Sequence, residues 1–188
     1  MAVEGAEVVL AEELPAAHSG EVERSIDNAV GKSLDDFAGS KSASILVSDI
    51  TRPAPSHLML PPLIKRLKDL GISDLKIVFA LGTHRRMTSE EERLLLRDCT
   101  ILPHMQHNPK ACVSLGETRR KTPVEILETV ASSDLIVATG NIEYHYYAGY
   151  SGGAKAVLPG VSSEESVIKN HELMRDPLST TGRLDSPV

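Results

Sequence analysis

The segment from Asn141 to Gly160, NIEYHYYAGYSGGAKAVLPG, gathers the residue types a reaction needs. Tyr144, Tyr146, Tyr147 and Tyr150 are the chain's four tyrosines, and all fall inside it with His145, Lys155 and glycines at 149, 152, 153 and 160. The segment has no charge run and no amphipathic period, so neither a solvated face nor a packed helix explains its composition. Gly149, Gly152 and Gly153 permit positive φ or a close approach of backbone to a ligand. Lys155 offers a point charge for phosphate or a nucleophilic amine. Desolvation among the tyrosines would keep His145 neutral, as a general base requires; a stacked structural ring is the competing reading.

Further polar residues collect at the ends of apolar runs. Ala43–Ser48 runs into Ser48-Asp49-Ile50-Thr51-Arg52-Pro53, Leu75–Leu81 into Gly82-Thr83-His84-Arg85-Arg86, and Asp134–Thr139 into Gly140-Asn141-Ile142-Glu143-Tyr144-His145. Taken singly, each exit reads as a cap or a salt-bridged loop. Three together, beside a glycine-rich loop, point to one site. Arg52 has the planar fork that suits a substrate carboxylate, with pairing to Asp49 as its bland alternative. His84 follows Gly-Thr at a strand end, which places it in a cleft. His104 and His107, in LPHMQHNPK, read as loop residues, and His171 as a residue on the last helix. His18 and His57 carry no signal.

The elements that must position these groups alternate. Ala43–Ser48, Leu75–Leu81, Ala111–Leu115 and Asp134–Thr139 read as strands. A helix with the stripe Leu60, Leu63, Ile64, Leu67 and Leu70 is expected to start at Pro61-Pro62 and stop at Gly71. Thr88 with Glu91 forms a capping box for a helix through Leu94–Leu96. Thr122, Pro123 and Glu125 predict a helix to about Ala131, and Ser162 with Glu165 a last helix to about Met174. Ile26, Val30, Leu34 and Phe37 have helical spacing within Glu21–Phe37. The alternation predicts an α/β, Rossmann-like domain: a mainly parallel sheet flanked by helices, with ligands at the carboxyl ends of its strands.

The 188 residues suffice for one core, and a net charge of -6 argues against a nucleic-acid partner. The cluster Arg119-Arg120-Lys121 reads as a solvated turn. No run approaches the roughly 18 apolar residues of a membrane span. Acidic residues stand where a signal peptide would be basic, and Cys99 and Cys112 have no metal-type spacing, so a reducing cytoplasm is expected.

Four blocks carry a resemblance: SDITRPAP (48–55), ALGTHRRMT (80–88), GNIEYHYYAGYSGGAKAVLPGV (140–161) and Asn170-His171 on the last helix. Separated and in this order, they resemble the N-terminal domain of the nickel-pincer lactate racemases over about residues 40 to 188. The first 40 residues match poorly. The resemblance implies a nickel-pincer nucleotide, a pyridinium-3,5-bisthiocarboxylic acid mononucleotide holding nickel in a square plane, joined to Lys155 through a thioamide. It implies His171 as the protein's nickel ligand, His84 and His145 as paired acid and base, and Arg52 on the substrate carboxylate. Asp49 and Thr51 would line the cofactor side, and Ser151, Gly152 and Gly153 would wrap the cofactor.

The implied reaction is racemisation of a small 2-hydroxy acid, lactate by default, by proton-coupled hydride transfer. An unactivated C–H resists deprotonation; hydride removal avoids the carbanion, and two faces require two histidines. The implied organisation is a 1–40 segment, a 41–175 cofactor-binding domain and a 176–188 linker toward a C-terminal domain of the same protein. The cofactor-making enzymes would be further partners. Two other readings fit the loop alone: a phosphate- or nucleotide-binding hydrolase domain, and a non-catalytic regulatory domain on the same fold.

Overall fold

The computed structural model describes Gly20, Glu21, Arg24, Ser25 and residues 33–188. The helix expected within Glu21–Phe37 lies largely outside them; its end, Leu34–Phe37, is a short 3-10 turn capped by Ser33.

The central strand is β1, Ser42–Ser48, whose residues 43 to 47 are all buried. A run that is apolar apart from Ser44, whose hydroxyl pairs with that of Ser133, suits a parallel strand covered on both faces. It pairs in parallel with β2, Asp74–Ala80, and with β6, Leu135–Ala138; β3, His104–Gln106, lies parallel beyond β2, giving the order β3-β2-β1-β6. Side chains alternate across the sheet. Ile45, Val47, Ile77 and Phe79 pack on one face with Leu60, Leu63 and Leu67 of α1, Ser56–Asp69, and with Leu95 and Leu96 of α2, Ser89–Leu96. Leu46 and Val78 point the other way, into a smaller cluster with Ile126, Leu127, Val130 and Val161. The α/β architecture with a parallel sheet flanked by helices is therefore as expected.

Three local readings are corrected. First, α1 begins at Ser56, upstream of Pro61 and Pro62. Its first turn closes when Leu58 and Met59 both donate to the Pro55 carbonyl, so the helix is nucleated before the prolines. Those prolines forfeit two intrahelical donors away from the buried stripe. Second, LPHMQHNPK supplies a strand, β3. Its pairing is reinforced at Gln106, whose amide bonds the Met87 carbonyl and Glu92 while its oxygen accepts from Met87 N–H.

Third, the segment around Ala111–Leu115 is β4, Cys112–Glu117, and it joins no parallel sheet. It pairs antiparallel with β5, Pro123–Leu127, where a helix was expected. Helix α3 is confined to Glu128–Ala131. Val124 and Ile126 favour strand, and docking decides the rest. Leu127 donates to Val161 O, and Glu125 accepts Ser163 N–H at its backbone oxygen, which ties β5 to the start of α4, Glu164–Glu172. The α4 cap is Ser163, one residue beyond the expected Ser162; its hydroxyl oxygen accepts from Ser166 N–H. Ser162 is buried and donates to Val157 O at 2.7 Å. The capping box of α2 stands as read, Thr88 with Glu91.

The final residues lie against the tyrosine-rich segment. Gly182 N–H donates to Gly149 O, and the Ser186 hydroxyl to Tyr147 O. Among the described residues no helix is long and apolar enough to cross a membrane.

Candidate functional site

Parallel strands deliver their carboxyl ends to one edge of the sheet, and a cavity opens there with charged and polar side chains on its walls. Asp49 and Arg52 reach it from the exit of β1, Gly82 and His84 from β2, and Thr139, Gly140 and Asn141 from β6. His145, Ser151, Gly152 and Lys155 close it from the other side. Seven of the residues singled out from sequence thus line a single cavity: Asp49, Arg52, His84, His145, Ser151, Gly152 and Lys155.

The β1–β2 side is a network of side chains. Asp49 is buried, and its Oδ1 accepts from Thr51 N–H at 2.8 Å and from the Thr51 hydroxyl at 2.5 Å. Its Oδ2 lies 2.7 Å from His84 Nδ1. Burial pushes the Asp49 carboxyl up, but the hydrogen bonds from Thr51 and His84 outweigh it and hold the group below its ordinary value. With both oxygens engaged, Asp49 does not pair with Arg52. Arg52 makes no ion pair among the described residues, and its Nη2 stands 3.5 Å from His84 Nε2. Its fork is open for an anionic ligand.

The other side is made mostly of backbone. Strands β7, Tyr144–His145, and β8, Gly149–Tyr150, form a minimal hairpin, followed by a 3-10 turn, Gly153–Ala156. The Ser151 hydroxyl donates to Asn141 O while its oxygen accepts Glu143 N–H. A Cβ at Gly152 would lie 2.8 Å from Asn141 O, so only glycine fits there, at φ 81. Gly153 sits in the turn that presents Lys155 and does not line the cavity. His145 stacks on Tyr146, with centroids 4.8 Å apart, and meets Tyr147 edge-on at 4.5 Å. The ring is stacked, as the structural reading had it, and it also faces the cavity. Burial lowers its pKa, and the charges of Lys155, Arg52 and His171 lower it further. Lys155 is lowered as well, first by burial and then by Arg52, with Glu143 opposing. Its amine is thereby more available as a nucleophile.

His171 does not line this cavity. It borders an adjoining hollow with Asn170, Ala148 and Lys155, so Lys155 stands between the two spaces. The His171 ring meets Tyr147 edge-on at 5.5 Å. Its pKa is lowered mainly by burial, which favours the neutral imidazole that binds metal. Among the described residues no cluster of three or more metal-ligating side chains occurs. A metal here would need most of its ligands from an organic group, and the single imidazole beside Lys155 fits such an arrangement.

Thr139, Gly140 and Asn141 also line the cavity; the sequence places Gly140 and Asn141 at a strand exit but assigns them no individual role. Glu143 was noted only as a strand-exit charge; its influence on His145 and Lys155 depends on the hairpin and has no sequence signature.

The chain matches the family described as "Lactate racemase N-terminal domain" over residues 3–182. It belongs to that family. It is 35% identical over 173 residues to the lactate racemase of Lactiplantibacillus plantarum, covering 87% of this chain and 41% of that protein. It is likewise 35% identical over 175 residues to that of Thermoanaerobacterium thermosaccharolyticum, covering 88% and 41%. The lactate racemase apoprotein structure from the latter organism superposes with a TM-score of 0.81 at 34% identity, over 88% of this chain and 42% of that one. The chain therefore spans about two fifths of the length of these relatives.

Proposed function

We propose that this chain is the catalytic, cofactor-binding part of a 2-hydroxy-acid racemase, with lactate as the default substrate. The observation that carries this reading is the convergence of Arg52, His84, His145 and Lys155 on one cavity in a lactate-racemase-type fold. The relatives extend well beyond the matched region, and further substrate contacts belong to a C-terminal part of the whole protein. The setting is a reducing cytoplasm, in keeping with two free thiols at Cys99 and Cys112.

The residues have separable tasks. Arg52 clamps the substrate carboxylate. His84 and His145, on opposite walls, hold and return the hydroxyl proton, one for each enantiomer. Lys155 provides the amine that anchors a nickel-pincer nucleotide, and His171, across Lys155 from the cavity, provides the protein's ligand to nickel. Asp49 and Thr51 border the group on one side. Ser151 and Gly152 line its other side, and Gly153 shapes the turn behind Lys155. When bound, the nucleotide supplies the hydride acceptor that no side chain can be. Nickel would accept sulfur donors from such a group together with the His171 imidazole. Separate enzymes make and deliver the group.

Intact-protein mass spectrometry and nickel analysis test this on the longer protein, co-expressed with cofactor-making enzymes. The expected result is a mass increase localised to Lys155 with near-equimolar nickel. Lys155→Ala should abolish the adduct, whereas His171→Ala should keep it and lose nickel. A protein without adduct or nickel under those conditions would instead favour a nucleotide-binding domain that lacks the chemistry.

A further inference from the structure

The two histidines lining the cavity are held by different partners, and the partners differ in what they can give. We propose that the fold locks His84 and His145 in opposite neutral tautomers. Asp49 is the positioning residue for the first, and the Ala148 main-chain amide positions the second. The chemical consequence rests on the racemase reading; the tautomers themselves do not.

For His84 two constraints agree. The Asp49 carboxylate at 2.7 Å from Nδ1 can only accept, so Nδ1 carries the hydrogen. On the opposite edge of the ring, Nε2 faces Arg52 Nη2 at 3.5 Å, and a guanidinium can only donate. Nε2 is therefore the lone-pair nitrogen, turned toward the group that would hold the substrate. The carboxylate cannot readily swing away, because Thr51 holds its other oxygen through two hydrogen bonds. For His145 the geometry is reversed. Ala148 N–H donates to Nδ1 at 3.2 Å, so Nδ1 is the acceptor and Nε2 carries the hydrogen.

The pair is thus pre-set as one acceptor and one donor. A substrate hydroxyl finds its acceptor at His84 Nε2. On proton transfer the O–H bond breaks, an N–H bond forms at Nε2, and the resulting imidazolium keeps Nδ1–H on the Asp49 carboxylate. A ketone oxygen can accept a hydrogen bond from His145 Nε2–H. For His145 to take the hydroxyl proton of the other enantiomer, the Ala148 bond must break and the ring proton move from Nε2 to Nδ1 first. The two enantiomers would meet walls that differ in readiness and are not mirror equivalents.

Long-range proton–nitrogen correlation NMR on the ¹⁵N-labelled, cofactor-free chain, in mildly alkaline buffer, reads each tautomer directly. The expected pattern is Nδ1–H for His84 and Nε2–H for His145. The same tautomer in both rings, or the reverse assignment, overturns the proposal. Asp49→Asn sharpens the test. Its amide oxygen should stay with the two Thr51 donors, which turns the NH₂ toward His84 Nδ1 and moves the ring proton to Nε2. His145 should be unchanged and reports that the variant is folded. An unmoved His84 would remove Asp49 from the positioning role. In the cofactor-loaded longer protein, Asp49→Asn should lower kcat by up to about 10⁴-fold with little change in KM, the scale seen when a Ser-His-Asp triad is forced into the wrong tautomer. Near-normal turnover would equally count against it. Absence of the nickel cofactor would sink the racemase reading and leave the NMR result standing.

Discussion

Where β1 and β2 end, the cavity wall is assembled by side chains: Asp49 takes hydrogen bonds from Thr51 and His84, and Arg52 stands beside His84 with no carboxylate partner among the described residues. Between Asn141 and Gly160 the facing wall is assembled by main chain. Ser151 N–H donates to Glu143 O, Ala148 N–H to His145 Nδ1, Gly160 N–H to Lys155 O, and Gly182 N–H to Gly149 O. The first wall is specified by chemical identity, so an isosteric exchange that alters one oxygen should disturb it. The second is specified by the absence of atoms, so an added methyl should disturb it more than a change of polarity.

The largest effect is therefore expected from Gly160→Ala. The new Cβ would stand 2.2 Å from Ala156 O and 2.9 Å from Ala80 Cβ, and neither is the end of a flexible side chain. The loop must move, straining the Gly160 N–H to Lys155 O bond within its own wall and the Gly82 N–H to Gly160 O bond that joins it to the other. A loss of about 3 kcal/mol is expected, at the upper end of overpacking costs. Urea unfolding checks it. A loss below about 1 kcal/mol would mean the wall yields easily and is not fixed by close backbone packing.

A smaller, pH-dependent effect is expected from Asp49→Ala. Removing the buried carboxylate deletes the hydrogen bonds that Thr51 and His84 make to a charged group, at a cost of about 1–3 kcal/mol near neutral pH. The sign follows from the lowered pKa of Asp49. Its contribution is complete above the unfolded value, near 4, and disappears as pH falls through the lower folded value. Melting curves of parent and variant should therefore converge in acid. Curves that diverge on acidification would show that the carboxylate is not the stabilising form.

The same contrast separates what the sequence makes legible from what it does not. Strands β1, β2 and β6 announce themselves as apolar runs, and their exits carry Asp49, Arg52, His84 and Asn141 in one order that the parallel topology must gather. The cap at Thr88 is visible because its partner lies three residues away. By contrast, Thr122-Pro123-Val124-Glu125 has every local signal of a helix start, yet it forms β5. The Glu125 carboxylate that would have capped the helix instead accepts from the Ser163 hydroxyl, 38 residues on. Strand β3 was missed because three residues are too few for a period to show. Its stability comes from Gln106 reaching Met87 and Glu92. The position of His171 across Lys155 from the cavity depends on where α4 docks, and no local pattern encodes that.

The smallest effect tests whether the side-chain wall is insulated from its own neighbourhood. Arg85, next to His84, is held bidentately by Glu91, whose carboxyl is lowered to about 2, chiefly by the hydrogen bond from Arg85. Glu91 is also the acid of the α2 capping box, accepting Thr88 N–H at 2.8 Å. Thr88→Ala removes only the Thr88 hydroxyl from that box, and a cost of about 1 kcal/mol is expected, the usual value for a lost N-cap. The informative readout for Thr88→Ala is the His84 ring. If Asp49 alone orients it, its nitrogen shifts stay at parent values while Tm falls. A displaced His84 signal would show that the cap and the Arg85–Glu91 pair are part of the wall, and that the side-chain side of the cavity extends a full helix turn farther than its direct hydrogen bonds reach.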